Sequence, residues 1–580
     1  MALLPVIRGL VYGVIGFLLG GGGTVLVSRL TGREAWPVEP MITVGYLLGL
    51  VGWLLGVGVW DIWAREWCGL PARKETVHGW PRYFRFTTDH KVIGVQYLVT
   101  FVVLFLLAGL FAMLMRVELA QPGLTIMTFG GFNHVMSLHG IIMIAVAVAT
   151  IIGGLGNYAV PLMIGAEDMA FPRINALSYW LVPPVAVLLV ATFFAGGFDT
   201  GWTGYPPLSV VNATGQVLFN LAVITFGLSS ILGGLNFLVT IICLRAPGMT
   251  WGRLPIFVWS IFGASLLSAT ATQFLAAALL MVLLDREVGT VFFNATRGGA
   301  PLLYQHFFWF YSHPAVYIMI IPGFGVALEV LTHFSRKPLY AYRWVVGGLL
   351  GIIVMSFLVW AHHLYTSGMP DFLHGPFMAM TELISVPTGL VFLSALGTLW
   401  LGRLWLRTPM LFALGFLFNF LIGGITGSIL TGVFAQQVLN GWGADGLLNG
   451  NGQLLVNQVV ATVASVVYSF VLSFILLKIV DLLVGLRVSP DSELQGVDLG
   501  TVLAWIGRLH SLQPRIASGA VLLDERGGEL ELCLYALDPI YDALPYSDNE
   551  EVREFLSELL RMQVEPQSWD ADPRISVLFW

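Results

Sequence analysis

Charged residues are scarce in this chain, and their scarcity indicates its class. Of 580 residues only 11% are charged, whereas 57% are hydrophobic. This composition excludes an ordinary water-soluble protein and is typical of an integral membrane protein. Cysteine is also rare: Cys68, Cys243 and Cys533 occur at spacings that indicate no disulfide framework, and we expect reduced thiols.

Histidine is unevenly distributed along the chain. After Thr431 the next histidine is His510, beyond every apolar segment of membrane-spanning length. Histidine is the commonest metal ligand among the side chains. The last part of the membrane region therefore offers no imidazole to a metal or cofactor.

Apolar runs of spanning length recur along most of the chain and predict an all-α integral membrane protein with about twelve transmembrane helices. The twelve predicted segments are 5–28, 41–62, 92–116, 136–163, 178–198, 215–243, 255–283, 301–331, 342–366, 373–402, 408–433 and 453–483. The first segment is long enough to be a true span rather than a short cleaved signal. The first two precede every motif described below.

Basic residues in the connections predict the orientation in the membrane. With the N-terminus inside, the inner connections among the first eleven spans hold Arg65, Arg73, Lys74, Arg82, Arg85, Lys91, Arg173, Arg245, Arg253, Arg336, Lys337, Arg343, Arg403 and Arg407. The outer connections hold only Arg29, Arg33, Arg116, Arg286 and Arg297. Positive charge favours the cytoplasmic side, so we expect both termini in the cytoplasm of a bacterial cell.

The C-terminal tail differs from the rest in charge. From Arg487 onward there are seventeen acidic residues and seven arginines, so the tail has a net charge of −10. The net charge of the whole chain is −6. Gly527-Gly528 between apolar runs predicts a hairpin, and an apolar stripe along 552–562 predicts a helix. We expect a small soluble α+β unit over 500–580, without a catalytic motif.

Three histidines and a tyrosine lie inside predicted spans, where polar groups are costly and therefore mark candidate functional sites. His313 and Tyr317 are four residues apart, so they share one helix face. His362 and His363 lie near the end of the next span at the same predicted depth. Three imidazoles suit a copper ion. A single histidine would also be compatible with a packed polar residue, but convergence of several elements favours a metal site.

The motifs around these residues resemble those of haem-copper oxidase subunit I. Residues 308–317 read FWFYSHPAVY, 359–363 read VWAHH and 387–389 read PTG. The same pattern includes TTDHK at 87–91, HG at 139–140, GNY at 156–158 and GAEDMAFPRIN at 165–175. The resemblance covers roughly residues 80–431. It implies a core that holds haem and copper, reduces O₂ to water and pumps protons.

The resemblance also implies roles for single residues. His139 would be one axial ligand of the low-spin haem, and Arg116 would lie beside the formyl group of that haem. Tyr317 would bond covalently to a copper ligand and supply an electron and a proton to O₂. The three implied copper ligands are His313, His362 and His363.

Proton paths are implied in the same way. The inner mouth of a D-type path would consist of Asn157, Asp168 and Asn175. The alternative for Asp168 is a surface ion pair with Arg173. The pair Tyr311-Ser312 resembles the branch of the family that has Ala315 where other members have glutamate. In a second path Thr388 is present, whereas Val391 stands where lysine is usual.

The oxidase pattern stops near residues 430–434. The helix that carries the remaining haem ligands is missing, so two of the three expected axial histidines are absent. Residues 432–499 instead resemble the last helix of ammonium transporters, with VGLRVS at 484–489 and GVDL at 496–499. We divide the chain into an N-terminal part at 1–79, an oxidase-like part at 80–431, the transporter-like segment at 432–499 and the acidic tail at 500–580.

Three functions remain open at this point. The chain could be an oxidase subunit with haem ligands supplied by another route, a chimeric membrane scaffold without turnover, or an ammonium transporter-like channel. The expected partners are other oxidase subunits, membrane lipid, and cytochrome c or quinol as electron donor; nucleic acid is not expected. We expect that the chain alone does not reduce O₂ at the rate of an oxidase.

Overall fold

The computed structural model describes residues 3–70, 79–123, 125–438 and 444–483. Within these ranges the fold is all-helical, and eleven helices are long and apolar enough to cross a membrane. The longer apolar helices are α1 (Leu4–Leu30), α2 (Val38–Val57), α3 (His90–Glu118), α4 (Phe129–Ile164), α5 (Pro172–Phe194), α6 (Gly215–Cys243), α7 (Ile256–Glu287), α8 (Pro301–Ser335), α9 (Tyr342–Ser356), α10 (Asp371–Leu399), α11 (Thr408–Phe434) and α12 (Gly452–Leu483).

Short helical segments occupy several connections. They are Val59–Trp67, Trp80–Phe84, Leu208–Val211, Trp251–Arg253, Ala295–Arg297, Trp360–Leu364 and Leu447–Asn449. The all-α membrane fold predicted from the sequence is confirmed. The predicted α+β tail at 500–580 lies outside the described residues.

The predicted span 342–366 is not one continuous helix. The α-helix α9 ends at Ser356, and a 3₁₀ segment follows at Trp360–Leu364. Hydropathy detects the apolar run but not this break in its hydrogen-bond pattern. The consequence is local: His362 and His363 lie on the tighter segment and not on an α-helix.

Helix α4 begins earlier than hydropathy predicts, at Phe129 instead of 136. The Thr128 hydroxyl caps it by accepting a hydrogen bond from the Gly131 amide at 3.1 Å. His139 is therefore about three turns into the helix. A π-helical stretch, Ile142–Ala147, follows directly; such bulges are frequent near functional sites.

Helices α1 and α2 form a closely packed hairpin because glycines face each other along both. The facing glycines are Gly9, Gly13, Gly16, Gly20, Gly45, Gly49, Gly52 and Gly56. A Cβ added at Gly52 would lie 2.2 Å from the carbonyl oxygen of Tyr12, and one at Gly16 would lie 2.3 Å from that of Leu48. Small residues at such spacing let helix backbones approach each other in membranes.

This N-terminal hairpin packs against the oxidase-like helices through polar contacts. The Tyr46 and Thr225 hydroxyls are 2.7 Å apart, and the Trp53 indole donates to the Trp180 carbonyl at 2.8 Å. Near the end of α7, Arg286 forms an ion pair with Glu39 in which the arginine side chain is only 4% exposed. The hairpin is thus an integral layer of the bundle.

Candidate metal centre

Helix α8 and the 3₁₀ segment bring three histidines together. One potential ligand nitrogen from each of His313, His362 and His363 lies within 4.8 Å of the others. His313 Nδ1 and His363 Nε2 are 3.1 Å apart. Among the described residues this is the one group of three or more potential metal ligands. The histidines singled out from the sequence therefore converge on one point.

A threonine of α10 orients one of these rings. His362 Nδ1 lies 2.8 Å from Thr381 Oγ1, and the Thr381 hydroxyl itself donates to the Phe377 carbonyl at 2.6 Å. Because that hydroxyl hydrogen is already used, Nδ1–H of His362 donates to Thr381. The unprotonated Nε2 is then left to face a metal, the arrangement usual for metal-bound histidines.

Tyr317 interacts with the second ring. Its hydroxyl oxygen lies 3.1 Å from His313 Nε2, and the ring centroids are 5.1 Å apart. His313 Nδ1 points the opposite way, toward His363. When Nδ1 is the metal-binding nitrogen, Nε2–H donates to the Tyr317 oxygen. The spacing of four residues predicted this shared face, and the structure has the two groups in hydrogen-bonding contact.

Trp309 fixes the third ring and was not singled out from the sequence. Its indole stacks on His363 with ring centroids 3.5 Å apart and an interplanar angle of 6°. The indole N–H donates to the Tyr205 hydroxyl, which holds the indole plane. Trp309 is four residues before His313, so helical spacing could have placed it on the same face. Thr381 had no such signal.

The geometry fits a copper ion. The three donors are neutral imidazole nitrogens, which suit copper, and imidazole nitrogens lie about 2 Å from a bound transition metal. Ligands of one ion are then within about 4 Å of each other, so a separation of up to 4.8 Å needs only small ring rotations. The contacts of Thr381 and Trp309 already set two of the ring orientations.

Only some of the residues that haem binding would require are present in this chain. His139 Nδ1 lies 2.9 Å from the Ala108 carbonyl oxygen, so Nδ1–H donates and Nε2 is left as the potential ligand. Arg116 is exposed in the last turn of α3. No histidine occurs between His374 and His510, so α11 and α12 carry none. The chain therefore supplies one of the three expected axial histidines, and its residues do not fit two haems.

Two cavities of about 70 Å³ each lie within the helix bundle. One is lined by Asn157 and Ser178, and the other by Tyr311 and Ser312. Both are lined by Ala149, Ile152, Phe226, Ser230, Ser268 and Ile318. A water molecule needs about 10–15 Å³ of such space, so each has room for several.

Asn157 and Asn175 are buried with side-chain atoms that lack a protein partner. Both polar atoms of Asn175 and the Oδ1 of Asn157 are in this condition. Buried amides without protein partners are commonly satisfied by ordered water. Both side chains can therefore hold water, and Asn157 lines one of the two cavities. Thr388 lies elsewhere, on α10, with its hydroxyl donating to the Ile384 carbonyl at 3.0 Å.

Asp168 lies in the connection between α4 and α5. Burial is the largest effect on it and raises its pKa to about 6, against the hydrogen bond from the Met169 amide at 2.7 Å. The charge of Asp89 also raises this pKa, and that of Lys91 lowers it. A carboxyl with a pKa near neutrality can exchange protons readily with water.

Comparison with known proteins assigns the family. The family model described as cytochrome c and quinol oxidase polypeptide I matches residues 92–441, and that of the ammonium transporter family matches residues 418–502. The two matches overlap near the end of α11. The recognition of two families within the chain is confirmed.

Two curated relatives agree with the larger match. Cytochrome c oxidase subunit 1 of Synechocystis is 48% identical over 355 residues, covering 61% of this chain and 64% of the relative. A probable cytochrome c oxidase subunit 1-beta of Nocardia farcinica is 45% identical over 365 residues, covering 62% of each chain. A solved haem-copper terminal oxidase dimer aligns with 19% identity and a TM-score of 0.48, covering 74% of this chain and 71% of that one. The chain spans less than two thirds of the length of these curated relatives, and with a family match over more than half of its own length it belongs to the cytochrome c and quinol oxidase polypeptide I family.

Proposed function

We propose that this chain is a membrane-embedded oxidase-type core that binds one copper ion through His313, His362 and His363. The observation that carries the proposal is the convergence of one nitrogen from each ring within 4.8 Å. The contact between His362 and Thr381 supports it, because it leaves the correct nitrogen unprotonated.

Copper bound there would supply one-electron redox chemistry next to a phenol. The residues of the chain do the positioning: Thr381 holds the ring of His362, and Trp309 holds that of His363. Tyr317 keeps its hydroxyl within hydrogen-bonding distance of His313. In this proposal the Tyr317 hydroxyl is the group that would supply a proton and an electron to O₂.

Proton delivery to this site is proposed to begin at Asp168 and to continue past Asn175 and Asn157. The raised pKa of Asp168 and the unpartnered amide atoms support this order. The cavities would then carry water as far as Tyr311 and Ser312. The second path, through Thr388, is expected to be inactive because Val391 is aliphatic.

Turnover is proposed to be absent in the isolated chain. O₂ reduction in this family requires a haem iron with an axial protein ligand, and the low-spin haem requires two. His139 can serve one haem, and α11 and α12 carry no histidine. Oxidase activity would therefore require haem ligands from outside this chain, and without them the protein is a chimeric scaffold that binds copper. The proposed partners remain other oxidase subunits, membrane lipid and either cytochrome c or quinol.

The proposed location is a bacterial cytoplasmic membrane with both termini in the cytoplasm. The asymmetry of basic residues between the two sides supports this orientation. The match to ammonium transporters covers little more than one helix of the described fold. We therefore do not propose ammonium transport for this chain. Measurements of ammonium uptake by vesicles that contain the reconstituted protein would detect such transport.

Metal analysis of the purified full chain tests the proposal. Wild-type protein is expected to bind one copper, and the variant with His313, His362 and His363 all changed to Ala to bind none. The matched control is His374→Ala on α10, outside the ligand group, which is expected to bind copper normally. Equal copper content in all three proteins would overturn the copper site.

The carbon monoxide difference spectrum tests the claim about turnover. We expect no stoichiometric haem and no carbon monoxide-sensitive band in the isolated chain. Two haems per copper with such a band would overturn the scaffold interpretation, since the missing ligands would then come from elsewhere.

A further inference from the structure

The connection between α10 and α11 mixes large apolar and basic side chains. Residues 400–407 read WLGRLWLR. Leu401 is 87% exposed, Trp400 is 72% exposed and Trp405 is 43% exposed. The connection joins two helices that are long and apolar enough to cross a membrane. Exposed aromatic and basic side chains at the ends of such helices are typical of the membrane interface, where headgroups and acyl chains meet.

Backbone hydrogen bonds fix this connection against the end of α8. The Arg403 amide donates to the Ser335 carbonyl at 2.9 Å, and the Trp405 amide donates to the Phe334 carbonyl at 2.7 Å. Arg336 follows Ser335 directly and ends α8 in the left-handed conformation, with a φ of 52°. The backbones of Arg336 and Arg403 are therefore neighbours, although 67 residues separate them along the chain.

One tryptophan ring orients two of the basic side chains. The guanidinium carbon of Arg407 lies 4.9 Å from the centroid of the Trp405 ring, and that of Arg336 lies 5.8 Å from it. Contacts of a cation with an aromatic face at such distances are attractive. We call Arg336, Arg403 and Arg407 the arginine cluster. All three side chains are exposed.

The hydrogen-bond donors of the arginine cluster are not used by the protein. Within the described ranges, none of its three guanidinium groups donates a hydrogen bond to a protein acceptor. Arg245 on the α6–α7 connection differs, because its guanidinium donates to the carbonyls of Ile241 and Met249. A guanidinium group offers five N–H donors in one plane and binds phosphate oxygens in pairs. The cluster thus presents unused donors suited to phosphate.

The charge around the arginine cluster is positive throughout. Residues 330–370 and 383–444 contain no aspartate or glutamate, and they add Lys337 and Arg343 to the same connections. The acidic residue before this stretch, Glu329, accepts a hydrogen bond from the Phe257 amide at 3.1 Å. A headgroup with its own cation would meet only repulsion for that cation here. A headgroup with a net negative charge is favoured.

We propose that the arginine cluster binds the headgroup phosphate of an anionic phospholipid, with the exposed apolar side chains of 400–406 against its acyl chains. The guanidinium groups would donate to the phosphate oxygens, at the level where α8 ends and α11 begins. This site is independent of the copper centre. Its assignment to the cytoplasmic leaflet rests on the orientation proposed above, whereas lipid binding itself does not.

The simpler alternative is that these arginines belong to the general excess of basic residues on one side of a membrane protein. In that case they would attract anionic lipid only through their charge. Removal of three exposed arginines from any part of the surface would then weaken lipid binding equally. A comparison of charge-matched variants separates the two interpretations.

Native mass spectrometry of the full chain in detergent tests the proposal. The probes are phosphatidylglycerol and phosphatidylcholine with identical acyl chains, and we expect wild-type protein to prefer phosphatidylglycerol. The variant with Arg336→Gln, Arg403→Gln and Arg407→Gln should lose this preference. Its affinity for phosphatidylglycerol should fall roughly a hundredfold, because each basic residue near an anionic lipid contributes about fivefold. Equal binding of the two lipids by wild-type protein would overturn the proposal.

The matched control removes the same charge from other connections. It carries Arg29→Gln, Arg33→Gln and Arg297→Gln, and all three of these side chains are exposed. We expect this variant to retain the wild-type preference for phosphatidylglycerol. A loss as large as that of the cluster variant would show that only net charge matters, and the site would be excluded.

Variants of Trp405 test the site without any change in charge. Trp405→Ala should weaken phosphatidylglycerol binding several-fold, because Arg336 and Arg407 lose the ring that orients them. Trp405→Phe keeps an aromatic face and should restore most of the affinity. An excess of inorganic phosphate should not displace the lipid. Displacement by inorganic phosphate would mean that the cluster binds a soluble anion, which would overturn the assignment to lipid.

Discussion

His362 Nδ1 and Thr381 Oγ1 lie 2.8 Å apart, although 19 residues of chain separate them. This contact connects the 3₁₀ segment to α10 and determines which nitrogen of His362 carries hydrogen. The threonine hydroxyl has already given its hydrogen to Phe377. Thr381, which is not itself a proposed metal ligand, thus leaves Nε2 of His362 unprotonated for metal binding.

Thr381→Val should weaken copper binding about tenfold without abolishing it, because removal of a group that orients a metal ligand typically costs 10- to 100-fold in affinity. Competition with a copper chelator in detergent measures the change. Thr388→Val is the control, since its hydroxyl donates to the Ile384 carbonyl of its own helix. An unchanged affinity for Thr381→Val would mean that Thr381 does not position the ligand.

Asp168→Asn should alter the pH dependence of stability. The folded-state pKa of about 6 lies above 3.8, the usual pKa of an aspartate carboxyl, so folding favours the protonated carboxyl. Ionisation between those two values therefore destabilises the wild type as the pH rises. Thermal unfolding should place the variant progressively above the wild type from pH 4 to pH 7. Parallel curves for the two proteins would contradict the raised pKa.

Gly52→Ala should destabilise the N-terminal hairpin. The new methyl group would lie 2.2 Å from the Tyr12 carbonyl oxygen, which forces the two backbones apart at a cost of about 1–3 kcal/mol. Gly22→Ala is the control, because a Cβ there meets nothing within 4 Å. Thermal unfolding should show a lower midpoint for Gly52→Ala alone. A loss of equal size in both variants would exclude steric contact as the cause.

Glu39→Ala should be more harmful than removal of both charges. Arg286 is 4% exposed, and loss of its partner leaves a buried cation, a change that costs about 3 kcal/mol. The double variant Glu39→Ala with Arg286→Met removes that penalty and should recover part of the stability. Unfolding midpoints compare the three proteins. A double variant less stable than the single one would show that the contacts of Arg286 with the carbonyls of Ser209, Val210 and Asn212 outweigh the cost of its unpaired charge.

The histidine group could be predicted from the sequence because spacing and motif act locally: His313 and Tyr317 are one helical turn apart, and His362 and His363 are adjacent. The helix break at Ser356 and the role of Thr381 could not, because both depend on how separate segments pack. Hydropathy responds to side-chain composition and not to hydrogen-bond register. Trp309 could be predicted in part. Its spacing from His313 places it on the same helix face, but spacing does not predict which ring it stacks on.

The ion pair between Glu39 of α2 and Arg286 of α7 has a consequence for how the gene can evolve. Arg286 also donates to the carbonyls of Ser209, Val210 and Asn212, so it ties the Leu208–Val211 connection to the N-terminal hairpin. Deletion of the first sixty codons would leave this arginine without its counter-charge. The hairpin and Arg286 are therefore expected to be inherited or lost together, and a trimmed descendant should carry a neutral residue at that position.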